Sequence, residues 1–173
     1  MRSFSIFCVA TVFALASSAS AAEKPTPLGS FKNWSAFTAG TGDTKTCYAL
    51  SQPVASDPKS AKRDAIYFLI SDFPARKAKA EPQVVPGYAY PDNGTVSVTV
   101  GSDKFTFFTK NDGTNGSAWL KSSADEARLV AAMQKGSRAT VTGASSNGTT
   151  TTDAYSLSGI SAALQKAHAE CKM

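Results

Sequence analysis

The run Ala65-Ile66-Tyr67-Phe68-Leu69-Ile70 decides the fold class of this chain. Its six apolar residues are too few for a buried helix and rich in aromatic and β-branched types, so they predict a central strand buried on both faces. Further strands are predicted on both sides of it, because short apolar or alternating segments recur between turn residues. These segments are an aromatic stretch at 31–37 and the ranges 46–50, 83–90, 95–100, 105–108 and 117–121.

The period of the apolar residues changes twice in the last third of the chain. Ser123-Ala124-Asp125-Glu126 reads as a capping box, with Ser123 as N-cap and Glu126 three residues later, and predicts a helix that ends before Gly136. Two strands, 139–142 and 149–157, precede a second helix that ends at Cys171. This order predicts a mainly β, antiparallel sandwich or barrel-like domain with one internal and one C-terminal helix, at the margin of the α+β class.

The N-terminal segment has the organisation of a secretory signal peptide over residues 1–22. Arg2 is followed by an apolar run at 4–16 and by small residues at 17–22. The alternative is a membrane anchor, but the run is shorter than the roughly 20 residues that a span needs. We therefore expect a flexible leader at 23–29, a single domain at 30–173, and no transmembrane segment after cleavage.

Under this interpretation, the mature chain keeps two of the three cysteines. Cys8 is removed with the signal peptide, which leaves Cys47 and Cys171 in an oxidising compartment, where a disulfide is the default. The alternative is a pair of unpaired buried thiols. Two cysteines and one histidine cannot complete a tetrahedral zinc site, so no metal and no cofactor are expected.

Basic residues exceed acidic residues by 18 to 13, and the excess is concentrated in two predicted loops. It indicates either solvated surface charge or contact with an anionic surface such as lipopolysaccharide, cell-wall polymer or acidic host glycans. Export, and the lack of a helix or aromatic platform that carries these charges, disfavour nucleic acid. The expected partner is an unknown protein or an anionic envelope or host-surface component. The candidate contact residues are Lys59, Lys62, Arg63, Arg76, Lys77 and Lys79.

Catalytic constellations are not evident in the sequence. The single histidine, His168, lies in the last turn of the predicted C-terminal helix and is interpreted as an ordinary helix residue. The acidic residues fall mainly in turns and in the capping box, so no pair of carboxylates suited to glycoside chemistry is predicted. Aromatic residues at strand spacing either line a ligand pocket or, as is more common, form the core. They are Trp34, Tyr67, Phe68, Phe105, Phe107, Phe108 and Trp119. The sequence therefore predicts a protein that is not an enzyme.

Several short segments, taken in order, resemble the invasion-associated locus B family of exported proteins from Gram-negative bacteria. They are Phe31-Lys32-Asn33-Trp34, Thr46-Cys47-Tyr48, Gln52-Pro53, Gly87-Tyr88, the Trp119 segment, residues 129–133 with Gly136, residues 151–159, and Cys171. The resemblance implies a periplasmic or surface-associated protein, in a family of which at least one member is linked to host-cell invasion. It supplies no catalytic residues to carry over.

The resulting functional hypothesis is an exported, non-enzymatic binding protein of the periplasm or envelope that aids host-cell interaction or invasion. The alternative is a small-ligand carrier or an enzyme that acts on envelope polymers. That alternative requires a concave, aromatic-lined pocket with convergent polar groups.

Overall fold

The computed structural model describes residues 24–173 of the chain, so the predicted signal peptide lies outside the described residues. Two single-turn 3-10 helices lie at Gly42–Thr44 and Pro74–Arg76. The strands are β1 (Thr26–Phe31), β2 (Trp34–Ala39), β3 (Thr46–Ser51), β4 (Ala55–Asp57), β5 (Tyr67–Phe73), β6 (Ala78–Val85), β7 (Thr95–Val100), β8 (Asp103–Asp112), β9 (Asn115–Trp119), β10 (Arg138–Ala144) and β11 (Thr150–Ser156). The helices are α1 (Ser123–Lys135) and α2 (Ile160–Cys171).

The strands form one antiparallel sheet in the order β1-β2-β3-β5-β6-β9-β8-β7-β10-β11-β4, and this sheet is rolled on itself. β3 and β4 are consecutive in the chain but stand third and last in the sheet. The three residues between them, 52–54, allow a reach of only about 14 Å, so the two ends of the sheet must approach each other. The predicted mainly β, antiparallel domain with two helices is confirmed.

Phe68 marks the centre of the rolled sheet. Its ring lies edge-to-face against Trp34, Phe107 and Tyr155, at centroid distances of 6.3, 6.5 and 5.6 Å. These partners come from β2, β8 and β11, so inward-facing residues of distant strands meet in one core. Edge-to-face aromatic pairs add about 0.5–1.5 kcal/mol each beyond the area they bury.

The central strand differs from its prediction. β5 begins at Tyr67 and continues to Phe73, and full burial on one face extends from Phe68 through Ile70 to Asp72, whereas Tyr67 and Leu69 on the other face are half-buried. The prediction of burial on both faces was wrong because the rolled sheet covers its inner face far more completely than its outer face.

The N-terminal segment is also more ordered than predicted. β1 begins at Thr26 and pairs with β2, so the predicted flexible leader is wrong for residues 26–29. The chain reverses at Lys32, whose φ of 55° allows the tight turn between the two strands. The predicted aromatic strand at 31–37 is therefore two strands.

Helix α1 starts one residue before the predicted position. Its N-cap is Ser122, whose hydroxyl accepts a hydrogen bond from the Asp125 N–H at 3.2 Å, so the capping box starting at Ser123 was wrong. Glu126 consequently lies in the first turn without a capping role. The predicted apolar stripe of α1 is buried as expected, at Leu129, Val130 and Met133.

Helix α2 is held by three contacts, two with strands of the sheet and one with Lys45, the residue before β3. The disulfide between Cys47 and Cys171 joins it to β3 across a separation of 124 residues, which confirms the predicted pairing. His168 Nδ1 lies 2.6 Å from Oδ2 of the buried Asp72, so His168 is not merely an ordinary helix residue. Lys45 and Glu170 form an ion pair of 2.9 Å nearer the surface.

Candidate functional site

An aromatic pair lies on the outer face of the sheet where β6, β9 and β8 adjoin. Trp119 on β9 stands opposite Gln83 on one side and Phe108 on the other. The residue before each of them in the chain, Phe107 or Ala118, is fully buried. Because side chains alternate between the two faces of a strand, Phe108 and Trp119 lie on the outer face. Their ring centroids are 6.0 Å apart and their planes are tilted by 33°.

Two carboxylates from distant parts of the chain complete this feature. Glu81 is two residues from Gln83 on the same face of β6, and Glu126 comes from the first turn of α1. Together with the aromatic pair they line a cavity of about 250 Å³, which we call the aromatic groove. Its lining residues are Glu81, Phe108, Lys110, Trp119, Leu120 and Glu126.

The charged residues of the aromatic groove differ in their partners and in their pKa shifts. Burial, and secondarily the charge of Glu81, raises the pKa of the Glu126 carboxyl above its ordinary value, while the charge of Arg76 opposes this. Arg76 binds Glu81, with Nη2 3.2 Å from Oε2, and its guanidinium stacks on Phe73 at 4.0 Å. Within residues 24–173, neither Glu126 nor Lys110 has an ion-pair partner within 4 Å.

Sequence reasoning missed this carboxylate pair. Glu126 had been assigned to helix capping, and Glu81 stands 45 positions before it in a segment predicted as a loop. One signal was present in the sequence: the polar Glu81 and Gln83 alternate with the apolar Pro82 and Val84, which is typical of a strand with one solvated face.

Arg63 is not available for contact with an anionic surface, and its prediction was wrong. Its Nη2 and Nη1 donate to the two carboxylate oxygens of Asp153 at 2.6 and 2.8 Å. The two side chains are only 5% and 4% exposed. Ser56 donates a further hydrogen bond of 2.6 Å to Asp153, so Arg63 and Ser56 share one buried carboxylate.

The remaining basic residues fall into two groups along the chain. The predicted basic loop after β5 is a single turn, Pro74–Arg76, so Lys79 lies within β6. The two groups stand before and after β5, whose seven residues extend over about 20 Å at about 3.3 Å each. Lys59, Lys62, Lys77 and Lys79 are exposed, and their contact with an anionic surface stays a prediction.

A second hollow, of about 410 Å³, adjoins Arg63 and is lined mainly by Lys62, Tyr88 and hydroxyl side chains. Tyr88 and Thr151 share a hydrogen bond of 2.7 Å, and burial raises the pKa of the Tyr88 hydroxyl. Beneath it, the buried hydroxyls of Tyr90 and Tyr155 have no hydrogen-bond partner within the described chain. Because Asp153 pairs with Arg63, Lys62 is the one lining charge of this hollow without an ion-pair partner among the described residues, whereas the aromatic groove has two, Glu126 and Lys110.

Residues 24–173 carry neither a metal-ligand cluster nor a helix that could span a membrane. They contain no group of three or more His, Cys, Asp or Glu side chains that could hold a metal ion. Neither helix in this range is long and apolar enough to cross a membrane.

The fold is a rolled antiparallel sheet with a disulfide-bonded C-terminal helix and a groove on its outer face. These features place the chain among small β-rich domains. The family model described as "Invasion associated locus B (IalB) protein" matches residues 34–168, and this chain belongs to that family. Its structure is similar to the crystal structure of invasion associated protein b from Bartonella henselae, with a TM-score of 0.56 and 16% identity. The match covers 84% of this chain and 98% of that one, and at this identity it establishes the fold alone. No curated protein matches the sequence.

Proposed function

We propose that this chain is an exported, non-enzymatic binding protein of the bacterial periplasm or outer envelope, and that it supports contact with host cells. Membership of the invasion-associated locus B family and the predicted signal peptide at residues 1–22 support the location. The printed title of the Bartonella protein supports a connection with invasion.

The aromatic groove is the observation that carries the binding function. Surface-accessible aromatic rings that stand beside unpaired polar groups are typical of recognition sites, because the rings supply contact area and the polar groups orient the ligand. Here the half-buried rings of Phe108 and Trp119 stand beside Glu126 and Lys110. The groove also meets the requirement stated above for the alternative, a small-ligand carrier or an enzyme that acts on envelope polymers, because it is an aromatic-lined concavity with convergent polar groups.

The position of the histidine supports binding over catalysis. His168 is held against Asp72 on α2, and α2 packs on β1, β2, β3 and β5. The aromatic groove lies on β6, β9 and β8 instead, so no imidazole can serve there as a general acid or base.

Glycoside hydrolysis is the second candidate, favoured by one observation. Two carboxylates in a groove, one of them with a raised pKa, are the equipment that glycosidases use as acid and as base or nucleophile. Incubation of the purified chain with cell-wall glycan tests this candidate directly. A release of new reducing ends that E126Q abolishes would replace the binding function by an enzymatic one.

The proposed location and binding are tested on the full chain, purified from the periplasm of an expressing strain. We expect saturable retention on envelopes isolated from a strain that lacks the gene. Retention that rises linearly with protein concentration, or that is absent, would contradict envelope binding.

The proposed role at host cells has its own test. A deletion strain should enter cultured cells less efficiently than its parent, and the wild-type gene should restore entry. Unchanged entry together with saturable envelope retention would separate the two parts of the proposal and leave the envelope function alone.

A further inference from the structure

We propose that the aromatic groove binds a neutral glycan chain of the bacterial envelope, with one sugar ring stacked on Trp119 and Phe108. This inference rests on the proposed function, because it names the envelope component that the protein would bind.

The two rings provide the stacking surface. Trp119 and Phe108 are cross-strand neighbours, and their planes differ by 33°, so together they form a shallow, nearly continuous platform. The apolar C–H face of a pyranose ring fits such a platform, and burying both surfaces is favourable. Because the platform stands on paired strands, it is already formed before the ligand arrives and costs little ordering entropy.

The charges around the platform favour a neutral occupant. Glu81 is already neutralised by Arg76, and the remaining lining charges, on Glu126 and Lys110, are one negative and one positive. A polyanion would meet the carboxylate of Glu126, and a polycation would meet Lys110. Hydroxyl groups can donate to the carboxylate and accept from the ammonium, so a polyhydroxylated neutral chain uses both.

The size of the groove indicates how much of the chain it holds. Its volume of about 250 Å³ is below the roughly 300–1,000 Å³ of pockets that enclose drug-sized ligands. A single ring of a longer polymer would fill it, while the neighbouring rings would continue over the open surface. Recognition of this kind suits a polymer better than a free monosaccharide.

The molecule contains a matched control for the platform. Phe37 on β2 and Tyr48 on β3 also stand opposite each other on the outer face, with centroids 5.4 Å apart and planes within 21°. Their other cross-strand neighbours are Pro27 and Ser71, so no charged residue stands beside them in the sheet register. Loss of a ring here tests aromatic exposure without the groove.

The chain also contains its own reporter. Of its two tryptophans, Trp34 is fully buried in the core and donates a hydrogen bond to the Ser156 carbonyl oxygen, whereas Trp119 lines the groove. A change in tryptophan fluorescence on titration with a sugar therefore reports on Trp119. Isothermal titration of the same samples gives the dissociation constant independently.

The experiment titrates the full chain with chitotetraose as a probe of the cell-wall backbone. We expect saturable binding, at least tenfold weaker binding for W119A, and unchanged binding for Y48A. Circular dichroism and thermal unfolding of each variant establish that the fold is retained. Absence of saturable binding would overturn the inference, as would an equal loss in Y48A.

The pH dependence tests the role of Glu126 beside Glu81 and Arg76. Protonation of Glu126 removes a charge-assisted acceptor, so binding should weaken as the pH falls, starting at a higher pH than for an ordinary glutamate. E126Q should bind several-fold more weakly than the wild type and lose this pH dependence. The same pH profile in E126Q and the wild type would remove Glu126 from the site.

The source of the glycan is tested by retention on purified cell-wall sacculi and on beads that carry high-mannose host glycans. We expect retention on sacculi that W119A reduces. Retention on host glycans alone would overturn the envelope source. Saturable envelope retention without any response to chitotetraose or sacculi would overturn the glycan inference while leaving the proposed function intact.

Discussion

Arg63 and Arg76 stand just before and just after β5, and the sequence places both in basic loops, yet the structure gives them opposite environments. Arg63 is 5% exposed and donates from two nitrogens to the two oxygens of Asp153, whereas Arg76 is 56% exposed and donates from Nη2 alone to the oxygens of Glu81, at 3.2 and 3.4 Å. The partner of Arg63 is 90 positions away, and the partner of Arg76 is five. The comparison shows that two arginines in similar basic segments can have opposite environments, which are set by the burial and the position of the carboxylate that each one binds.

The two ion pairs differ in what their loss would expose. The hydrogen bonds that Arg63 donates to Asp153 raise the pKa of the guanidinium above its ordinary value, so it stays charged in the interior. Removal of one member of a buried pair leaves a charge without water or partner, which costs about 3–5 kcal/mol. An exposed pair contributes about 0–1 kcal/mol because water replaces either partner.

The largest effect is therefore expected for D153A, which leaves Arg63 buried without its partner. The free energy of unfolding should fall by about 3–5 kcal/mol, measured by urea denaturation. E81A, which breaks the pair of Arg76, is the matched control and should cost at most about 1 kcal/mol. Equal losses in the two variants would show that the buried environment of Arg63 does not matter.

The double replacement R63M/D153L sharpens the same comparison. It removes both charges together, so the desolvation penalty disappears with the attraction. We expect this variant to be more stable than D153A by at least about 2 kcal/mol. If the double variant were as unstable as D153A, the loss would come from the packing of Asp153 rather than from the uncompensated charge.

A smaller effect is expected when the positive charge is kept and its geometry is changed. A lysine at position 63 cannot bind both carboxylate oxygens of Asp153 in parallel, so R63K should cost about 1–3 kcal/mol. R76K, whose pair is exposed, should leave unfolding within about 0.5 kcal/mol of the wild type. Similar urea midpoints for R63K and R76K would argue against the importance of the two-point contact.

These pairs also show how far the sequence could be interpreted. The strand at β5 and the stripe on α1 follow from local periodicity, and the disulfide to α2 follows from the signal peptide and the two cysteines that remain after its removal, so each was predictable. The three-residue strand β4 was not, because Ala55–Asp57 carries no periodic signal and exists through its pairing with β11. Local patterns specify which segments are strands, and the rolled sheet then decides which of them adjoin.

The candidate site could not be predicted from the sequence for the same reason. Glu81, Trp119 and Glu126 come together only through the order β6-β9-β8 and the position of α1, which local sequence does not encode. The pairing of His168 with Asp72 was likewise beyond local reasoning, since these residues lie 96 positions apart. Long-range contacts between polar residues have no periodic signature, whereas long-range contacts between apolar residues do.

R76A separates stability from binding at the exposed end of β5. Because the Arg76–Glu81 pair is exposed, the free energy of unfolding should change by less than about 1 kcal/mol. Loss of Arg76 removes the charge that lowers the pKa of Glu126, so that pKa should rise further and the pH at which chitotetraose binding weakens should move upward. An unchanged pH profile would mean that Arg76 does not act on the aromatic groove.

The smallest effects on stability are expected for the exposed lysines, where only surface contact is at stake. K59A/K62A and K77A/K79A should each unfold within about 0.5 kcal/mol of the wild type. The two groups stand on opposite sides of β5 in the chain, so we expect them to act independently on an anionic surface. Each double variant should reduce retention on anionic lipid vesicles at low salt. In the combined variant, the loss of binding free energy should equal the sum of the two separate losses. A combined loss much greater than that sum would mean that the two groups act as one patch, and no loss in either variant would assign these lysines to solvation alone.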